Sequence, residues 1–247
     1  MRPTIHLDDV CVRLSGHEVL RNVDLELAEG VTALVGRNGA GKTTLIRVLT
    51  GSLRPTDGVV LSGGSDIHES TSAMVRHRQH LGWQPQEPRL PPRMRVEEFL
   101  AYAAWLKKMP TRAADVAIEA AFDAVDLGGL RDKRLGVLSG GQRRRAALAA
   151  AVVGGPDLLL LDEPTLGLDP VQRSHFLEVV RALAPGRAIL VATHLMEDVE
   201  LVADRWLALD EGRVVAARDV DRSSPASLVT TRDDIRRALG LEPRIDR

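Results

Sequence analysis

The chain has 247 residues, which is enough for one sizeable domain or for a domain with a small inserted subdomain. Hydrophobic residues make up 44% and charged residues 27%, a globular composition that excludes a disordered chain. The 33 basic and 34 acidic residues leave a formal net charge of -1, which argues against a protein that holds nucleic acid by bulk basic charge. Cys11 is the only cysteine, so an intrachain disulfide and a cysteine metal cluster are excluded.

Apolar stretches are short throughout the sequence. The first residues contain no apolar segment of signal-peptide length, and the longest apolar stretch without glycine is 146–153. A membrane span needs roughly 18 or more such residues. We therefore expect no direct membrane span, so that any work at a membrane requires a second, spanning polypeptide.

The first predicted elements surround a glycine-rich loop. Extended runs at 5–14 and 19–27 are joined by a hairpin signal at 15–18. A short apolar strand is then predicted at 31–35, a helix at 45–49 and a strand at 59–61. The glycine-rich loop therefore lies between a strand and a helix.

A proline-rich segment separates this region from a helical one. Four prolines crowd the segment 84–93, namely Pro85, Pro88, Pro91 and Pro92. They forbid a helix there and indicate a boundary or hinge. Two helices are predicted at 96–108 and 112–125, separated by Pro110, and we expect residues 87–137 to form a helical insertion within an α/β core.

The second half alternates helices with short apolar strands. Helices are predicted at 139–153, 171–183 and 196–203, and strands at 158–161, 188–192 and 206–209. This alternation indicates a mainly parallel sheet covered on both faces, so the predicted fold class is α/β. We expect one domain over residues 1–217 and a short solvated tail at 218–247, with a last helix at 231–239.

The loop from Gly36 to Thr43 matches the phosphate-binding pattern G-x-x-x-x-G-K-[ST]. Its glycines let backbone N–H groups surround phosphate oxygens, and the next helix points its positive end at the same anion. Lys42 would supply a charge to the β- and γ-phosphates, and Thr43 a hydroxyl to Mg²⁺. A chance match of a glycine-rich turn is the alternative. The predicted nucleotide-binding residues of this loop are Gly36, Asn38, Gly39, Ala40, Gly41, Lys42, Thr43 and Thr44.

Two acidic residues follow a run of four leucines. The run at 158–161 predicts a buried central strand, and ligands bind at the carboxyl ends of such strands. Asp162 is placed to hold Mg²⁺ through water, and Glu163 to orient and deprotonate an attacking water. The alternative is that the two acids begin a surface loop.

A second anion site is predicted at the start of the helix after residue 138. Ser139 with Gln142 fits a capping box. Gly140 and Gly141 leave the helix N-terminus bare, and a bare N-terminus beside a serine hydroxyl is a ready anion site.

Together these residues resemble the ATP-binding cassette (ABC) ATPases, whose signature sequence is Leu-Ser-Gly-Gly-Gln. The resemblance covers about residues 3–216, with the motifs in the family's order. It implies a P-loop NTPase core with an N-terminal antiparallel β-subdomain and an inserted α-helical subdomain, and ATP and Mg²⁺ as cofactors. It also implies a head-to-tail dimer, in which Ser139, Gly140, Gly141 and Gln142 bind the ATP held by the partner cassette.

The resemblance assigns three further polar residues. Gln86 resembles the glutamine that senses Mg²⁺ at the hinge to the helical subdomain, with Gln84 as the rival assignment. Asp169 resembles the aspartate that crosses the dimer interface, and an N-cap before Pro170 is compatible with that role. His194, after a predicted strand, resembles the switch histidine that contacts the γ-phosphate.

One position departs from the family pattern. ABC ATPases commonly place an aromatic residue ahead of the second strand, where it stacks on adenine, and the matching residue here is Leu14. Stacking of a base on an aromatic side chain is worth roughly 1–3 kcal/mol. We therefore expect weak adenine binding and poor selection of ATP over GTP.

Two other patterns favour structural roles. The arginines at 143–145 predict a solvated or phosphate-facing helix start rather than a nucleic-acid site. Phe99, Tyr102 and Trp105, spaced by three residues, favour packing in the core, and contact with a membrane partner is the alternative.

The resemblance implies an ATP-hydrolysing subunit that closes as a dimer on ATP and drives a separate integral membrane permease from the cytoplasmic face. Its motif wording is similar to that of drug, antibiotic and bacteriocin exporters. The second cassette would be a copy of this chain or a paralogue, and no nucleic-acid partner is expected. The alternative is a soluble single-cassette ABC ATPase that acts in an assembly process.

Overall fold

The computed structural model describes residues 5–222 and 224–241. Its strands are β1 (Ile5–Leu14), β2 (His17–Leu27), β3 (Gly30–Val35), β4 (Asp57–Ser62), β5 (Ser65–Asp66), β6 (Leu81–Gln84), β7 (Leu158–Asp162), β8 (Ala188–Thr193), β9 (Arg205–Asp210) and β10 (Arg213–Asp219). Its α-helices are α1 (Lys42–Leu49), α2 (Thr71–Gln79), α3 (Val96–Leu106), α4 (Thr111–Ala124), α5 (Gly140–Val152), α6 (Pro170–Ala182), α7 (Met196–Val202) and α8 (Pro225–Ala238). Short 3₁₀ turns lie at Gly128–Leu130 and Leu135–Val137.

The strands form two sheets. A four-stranded antiparallel sheet has the order β2-β1-β4-β5, and a six-stranded sheet has the order β10-β9-β3-β8-β7-β6. Within the second sheet only the β9–β10 pair is antiparallel among the described pairings. The predicted α/β class, with an antiparallel subdomain and a mainly parallel sheet, is confirmed.

The parallel strands bring their carboxyl ends to one edge of the sheet. Strands β7 and β8 are buried along their whole length, as their runs of Leu, Ile, Val and Ala require. Strand β3 pairs with β8, and β8 pairs with β7. The glycine-rich loop after Val35, the acid Glu163 after Asp162 and His194 after Thr193 therefore follow adjacent strands.

The inserted helices pack against an alanine-rich helix of the core. Leu100 of α3 and Phe122 of α4 are buried in one cluster with Ala146 and Ala149 of α5. The small alanine side chains let α5 approach both the sheet and the insertion closely. The two predicted helices of the insertion are thus observed, within two residues of their expected ends.

The aromatic stripe of α3 does not lie in the core as a whole. Phe99 is half-buried and packs on the cluster above, but Tyr102 is 45% exposed and Trp105 is 70% exposed. Their rings stack at 5.8 Å between centroids. The expectation of core packing is therefore wrong for Tyr102 and Trp105, because both side chains remain largely exposed on α3.

The C-terminal segment packs on the domain. Helix α8 begins six residues before the helix predicted at 231–239, and Ile235 and Leu239 are buried against Val35 and Trp206. The expectation of a solvated tail is wrong for this helix, because those two side chains cover one face of the parallel sheet. No helix in the described ranges is long and apolar enough to cross a membrane.

Candidate nucleotide site

The loop between β3 and α1 has the backbone that phosphate binding requires. Gly39 and Gly41 adopt φ values of +83° and +107°, a region that favours glycine. A Cβ on Gly36 would lie 2.4 Å from the carbonyl oxygen of Leu209, so only glycine fits there. The N-cap of α1, Gly41, offers no side-chain cap, and the first N–H groups of the helix remain available to an anion.

Lys42 lies at the mouth of this loop. Its side chain is 8% exposed, and its Nζ donates to the carbonyl oxygen of Gly36 at 2.8 Å. The same Nζ lies 3.5 Å from Oε1 of Glu163. The structure therefore brings the predicted phosphate-binding cation and the predicted general base to the same point.

Asp162 and Thr43 form an oxygen-rich pair beside the loop. Asp162 is buried, and its Oδ1 has no hydrogen-bond partner in the part of the chain that the structure describes. Burial raises the pKa of the Asp162 carboxyl, while the nearby Thr43 hydroxyl acts in the opposite direction. A buried carboxylate with a free oxygen beside a hydroxyl is a donor set that Mg²⁺ prefers, so these residues fit the ion.

Glu163 is held in an uncommon backbone conformation at the end of β7. Its φ is +45°, which is rare for a residue with a side chain and costs energy that functional sites typically retain. Its N–H donates to the carbonyl oxygen of Ala192 at 2.9 Å. Its Oε2 is 2.8 Å from Nδ1 of His194. The carboxylate, which is 8% exposed, is therefore fixed between an imidazole and the Lys42 ammonium.

The capping box at the start of α5 is confirmed. The hydroxyl of Ser139 accepts from the Gln142 N–H at 3.2 Å, and Oε1 of Gln142 accepts from the Ser139 N–H at 2.9 Å. Ser139, Gly141 and Gln142 line a pocket with Gln172 and His175. None of the described residues of the phosphate loop lines this pocket, so the two predicted anion sites of one chain are separate.

Asp169 caps α6 as predicted. Its Oδ1 accepts from the Gln172 N–H at 2.9 Å, and Pro170 occupies the first helical position. The contact across a dimer interface stays a prediction for this residue.

The sequence matches a family whose members share this set of motifs. Residues 20–166 match the family described as ABC transporter. This chain belongs to the ABC transporter family. The match also confirms the ATP-binding, ATP-hydrolysing class of domain that the motifs predict.

Curated relatives differ widely in length from this ABC ATPase domain. A putative ABC transporter ATP-binding protein of Halobacterium salinarum is 40% identical over 80% of this chain and 85% of its own. The Nod factor export ATP-binding protein I of Burkholderia lata is 40% identical over 74% of this chain and 60% of its own. The human retinal-specific phospholipid-transporting ATPase ABCA4 is 39% identical over 74% of this chain, which spans 8% of the length of that relative.

Solved structures of ABC proteins share the fold. The structure of cbiO1 from Clostridium perfringens, part of the complex cbiONQ, has a TM-score of 0.82 and 29% identity, covering 98% of this chain and 96% of that one. A bacterial Atm1-family ABC exporter with ATP bound has a TM-score of 0.77 and 28% identity, covering 94% of this chain and 40% of that one.

Within this ABC ATPase domain, the two candidate glutamines have contrasting environments. Gln86 is exposed, and its backbone carbonyl oxygen accepts a hydrogen bond from the Arg144 guanidinium. Gln84 is fully buried at the end of β6, paired with Leu161 of β7, and its amide nitrogen and oxygen have no partner among the described residues. The assignment of Gln86 to Mg²⁺ stays a prediction, with Gln84 as a rival that lies beside the Asp162 strand.

Leu14 lies at the end of β1, in the hairpin with β2. It is 37% exposed and pairs with His17. An exposed position in this hairpin can accept a larger side chain. The adenine-stacking prediction therefore concerns a site that a substitution can test directly.

The arginines at 143–145 bind backbone and side-chain oxygens of the domain. Arg143 donates to the Leu138 carbonyl, Arg144 to the carbonyls of Gln86 and Leu166, and Arg145 to Asp126. Arg143 is exposed and Arg144 and Arg145 are partly exposed, so a solvated or phosphate-facing helix start stays a prediction. No local sequence pattern distinguishes these intramolecular contacts from a surface charge run.

No sequence pattern indicates a role for Asp198. This carboxylate is completely buried on α7 and bonds three side chains that lie near the predicted site. Its helix has seven residues and carries no motif, so an acidic residue there is indistinguishable from a solvated one in the sequence.

Proposed function

We propose that this chain is the ATP-hydrolysing subunit of an ABC transporter, closing as a dimer on ATP and driving a separate membrane-spanning permease. One observation carries the proposal. The buried carboxylate of Glu163 lies between Nδ1 of His194, at 2.8 Å, and Nζ of Lys42, at 3.5 Å. A base, an orienting imidazole and a phosphate-binding cation are the parts that phosphoryl transfer to water needs.

The phosphates of ATP bind in the loop from Gly36 to Thr44, with Lys42 on the β- and γ-phosphates. Thr43, Asp162 and Gln86 would hold Mg²⁺. When bound there, the ion would provide Lewis-acid stabilisation of charge on the transferred phosphoryl group. The free Oδ1 of Asp162 and the exposed Thr43 hydroxyl support this assignment.

Glu163 orients the attacking water and accepts its proton on the carboxylate. The water oxygen forms a bond to the γ-phosphorus, and the bond to the β-phosphate oxygen breaks, which releases ADP and phosphate. The hydrogen bond from His194 fixes the imidazole ring through Nδ1, so Nε2 is the atom left for the γ-phosphate. Loss of that phosphate removes the contact and loosens the dimer.

A second cassette completes each nucleotide site. The pocket of Ser139, Gly141 and Gln142 contains no described residue of the phosphate loop, which supports a role in binding the nucleotide held by another chain. Gly140 and Asp169 belong to the same face of the proposed dimer. The second cassette is a copy of this chain or a paralogue.

The permease docks at an apolar groove beside the hinge. The groove is lined by Trp83, Pro85, Phe99, Tyr102 and Leu106. Exposed apolar groups of this size mark an interaction surface rather than an ordinary solvated one. A permease segment in the groove would place this chain on the cytoplasmic face of the membrane. Export is the favoured direction, since one relative is named for Nod factor export and one structural neighbour is an exporter.

The test is a pull-down from native membranes. Tagged protein carrying Glu163→Gln is incubated with detergent-solubilised membranes and ATP, and the bound proteins are identified. We expect a polytopic membrane protein in stoichiometric amount, and its loss when Leu106→Ser, a change at an exposed residue that lines the groove, is added. Val229→Ser, a change at an exposed residue of α8 that lies outside the groove and outside the proposed dimer face, is the matched control. If only soluble assembly factors are recovered while the variant still dimerises, the chain is an ATPase of an assembly process rather than a transporter subunit.

A further inference from the structure

Asp198 is a buried carboxylate with a full set of donors. It is 0% exposed on α7. Its Oδ2 accepts from the hydroxyl of Thr165 at 2.7 Å and from the hydroxyl of Thr193 at 2.8 Å. Its Oδ1 accepts from Nε of Arg173 at 2.5 Å. A buried charge is tolerated only when it is paired and hydrogen-bonded, and this one has both kinds of compensation.

The two threonines lie beside the Glu163–His194 pair. The hydroxyl of Thr193 also accepts from the Leu195 N–H at 3.1 Å, which closes the turn that contains His194. Thr165 lies two residues after Glu163, in a turn closed by the Leu166 N–H and the Glu163 carbonyl at 3.2 Å. One oxygen of Asp198 thus holds the segment that carries the base and the segment that carries the imidazole.

The third donor belongs to a different element. Arg173 is in the first turn of α6, and its N–H donates to the carbonyl oxygen of Asp169 at 2.9 Å. Asp169 is the N-cap of that helix. Because a carboxylate is a rigid planar group, the oxygen that holds α6 and the oxygen that holds the two threonines move together.

We propose that Asp198 is a positioning residue that couples Asp169 to the Glu163–His194 pair. The inference rests on the proposed function, in which Asp169 faces the second cassette and Glu163 activates water. Closure of the dimer shifts the start of α6, and the Arg173–Asp198 contact transmits that shift to Thr165 and Thr193. Hydrolysis is thereby tied to correct assembly of the interface.

The first variant is Asp198→Asn, which keeps the size of the side chain. Its amide nitrogen cannot accept a hydrogen bond, so either the Arg173 guanidinium faces another donor or the hydroxyls of Thr165 and Thr193 must turn from donating to accepting. We expect kcat to fall about tenfold or more, since small misplacements of catalytic groups cost this much. Binding of a fluorescent ATP analogue should be unchanged, because the network includes no residue of the phosphate loop.

A double-mutant cycle tests the coupling itself. The kcat values of Asp198→Asn, Asp169→Ala and the double variant are compared. If Asp198 acts through Asp169, the double variant is no slower than the slower single variant. If the two residues act independently, the two fold-losses multiply, and that result would overturn the proposal.

Two controls separate positioning from general destabilisation. Leu177→Ala removes buried apolar volume from α6 without touching the network, and it should lower the melting temperature yet retain kcat. A loss of kcat in Leu177→Ala equal to that in Asp198→Asn would also overturn the proposal. Thr165→Val removes one donor at constant shape, and it replaces Asp198→Asn in the cycle if that variant does not fold.

Failure of the proposed function would look different. A wild-type chain that does not hydrolyse ATP contradicts the function itself. Hydrolysis that depends on Glu163, combined with multiplied losses in the cycle, contradicts only the coupling role of Asp198.

Discussion

Oε2 of Glu163 and Nδ1 of His194 are 2.8 Å apart, and the other oxygen of the same carboxylate lies 3.5 Å from the ammonium of Lys42. These three residues come from the ends of β7 and β8 and from the start of α1. Their convergence follows from the strand order, because parallel neighbours deliver their carboxyl ends to one edge. Each residue can therefore be changed separately without dismantling a strand.

His194→Ala should abolish most of the activity while ATP still binds. The variant leaves Glu163 without the imidazole that fixes it, and the γ-phosphate without its contact. We expect kcat to fall about a hundredfold, the usual size of a lost proton-transfer or orienting group. Single-turnover hydrolysis measures this, with His80→Ala, at an exposed histidine, as the control. Retention of wild-type kcat in His194→Ala would contradict the role given to the imidazole.

Leu14→Tyr should increase affinity for ATP. A tyrosine there offers a ring to adenine, and stacking worth roughly 1–3 kcal/mol corresponds to about a tenfold gain or more. The gain should be larger for ATP than for GTP, as competition with a fluorescent nucleotide would reveal. Leu241→Tyr, at another exposed leucine, is the control. Unchanged affinity in Leu14→Tyr would show that adenine does not contact this hairpin.

Substitutions of Gln84 and Gln86 should affect different properties of the protein, its stability and its Mg²⁺ dependence respectively. Gln84→Leu removes a buried amide that has no partner in the described structure, so it should raise the free energy of unfolding by about 1 kcal/mol or more. It should leave the Mg²⁺ dependence of hydrolysis unchanged, whereas Gln86→Ala should raise the Mg²⁺ concentration for half-maximal activity. The reverse pattern would assign the metal-sensing role to Gln84.

His77 should make the fold sensitive to mild acid. Burial lowers its pKa from the usual 6.5, while the hydrogen bond to the Leu49 carbonyl, at 2.7 Å, opposes this. Between pH 6.5 and the lower pKa of the folded state, the His77 imidazole is therefore protonated in the unfolded chain and neutral in the folded chain. Stability falls as the pH drops through 6.5 toward the lower pKa of the folded state, and it stops falling below that pKa.

The comparison of His77→Gln with the wild type isolates this contribution. Urea unfolding at about pH 7.5 and about pH 5.5 should show a smaller loss of stability for the variant. His80→Gln, at a histidine with a 67% exposed side chain, is the matched control. Equal pH dependence in the wild type and in His77→Gln would contradict the assignment.

Strong local patterns explain what the sequence predicts well. The glycine spacing around Lys42 predicts a loop that leads into a helix, and the leucine run before Asp162 predicts a buried strand. Both are observed. The capping box at Ser139 is equally local, since its partners are three residues apart. Such features are decided by neighbouring residues, so tertiary packing does not override them.

The missed features depend on distant contacts. Helix α2 is polar, with only Ala73 and His77 buried, so it has no apolar period to detect. Strand β10 is an edge strand with no buried residue. The role of Asp198 depends on its hydrogen bond with Thr165, 33 residues away in the sequence, and no local pattern can indicate such a contact.

The central claim is that Glu163 activates water in a site that two cassettes form. The most direct measurement is hydrolysis and association of the purified Glu163→Gln variant, by phosphate release and light scattering. The account predicts no turnover, and a dimer that forms with ATP and not with ADP. Turnover near the wild-type rate, or a variant that stays monomeric while it binds ATP, would contradict it.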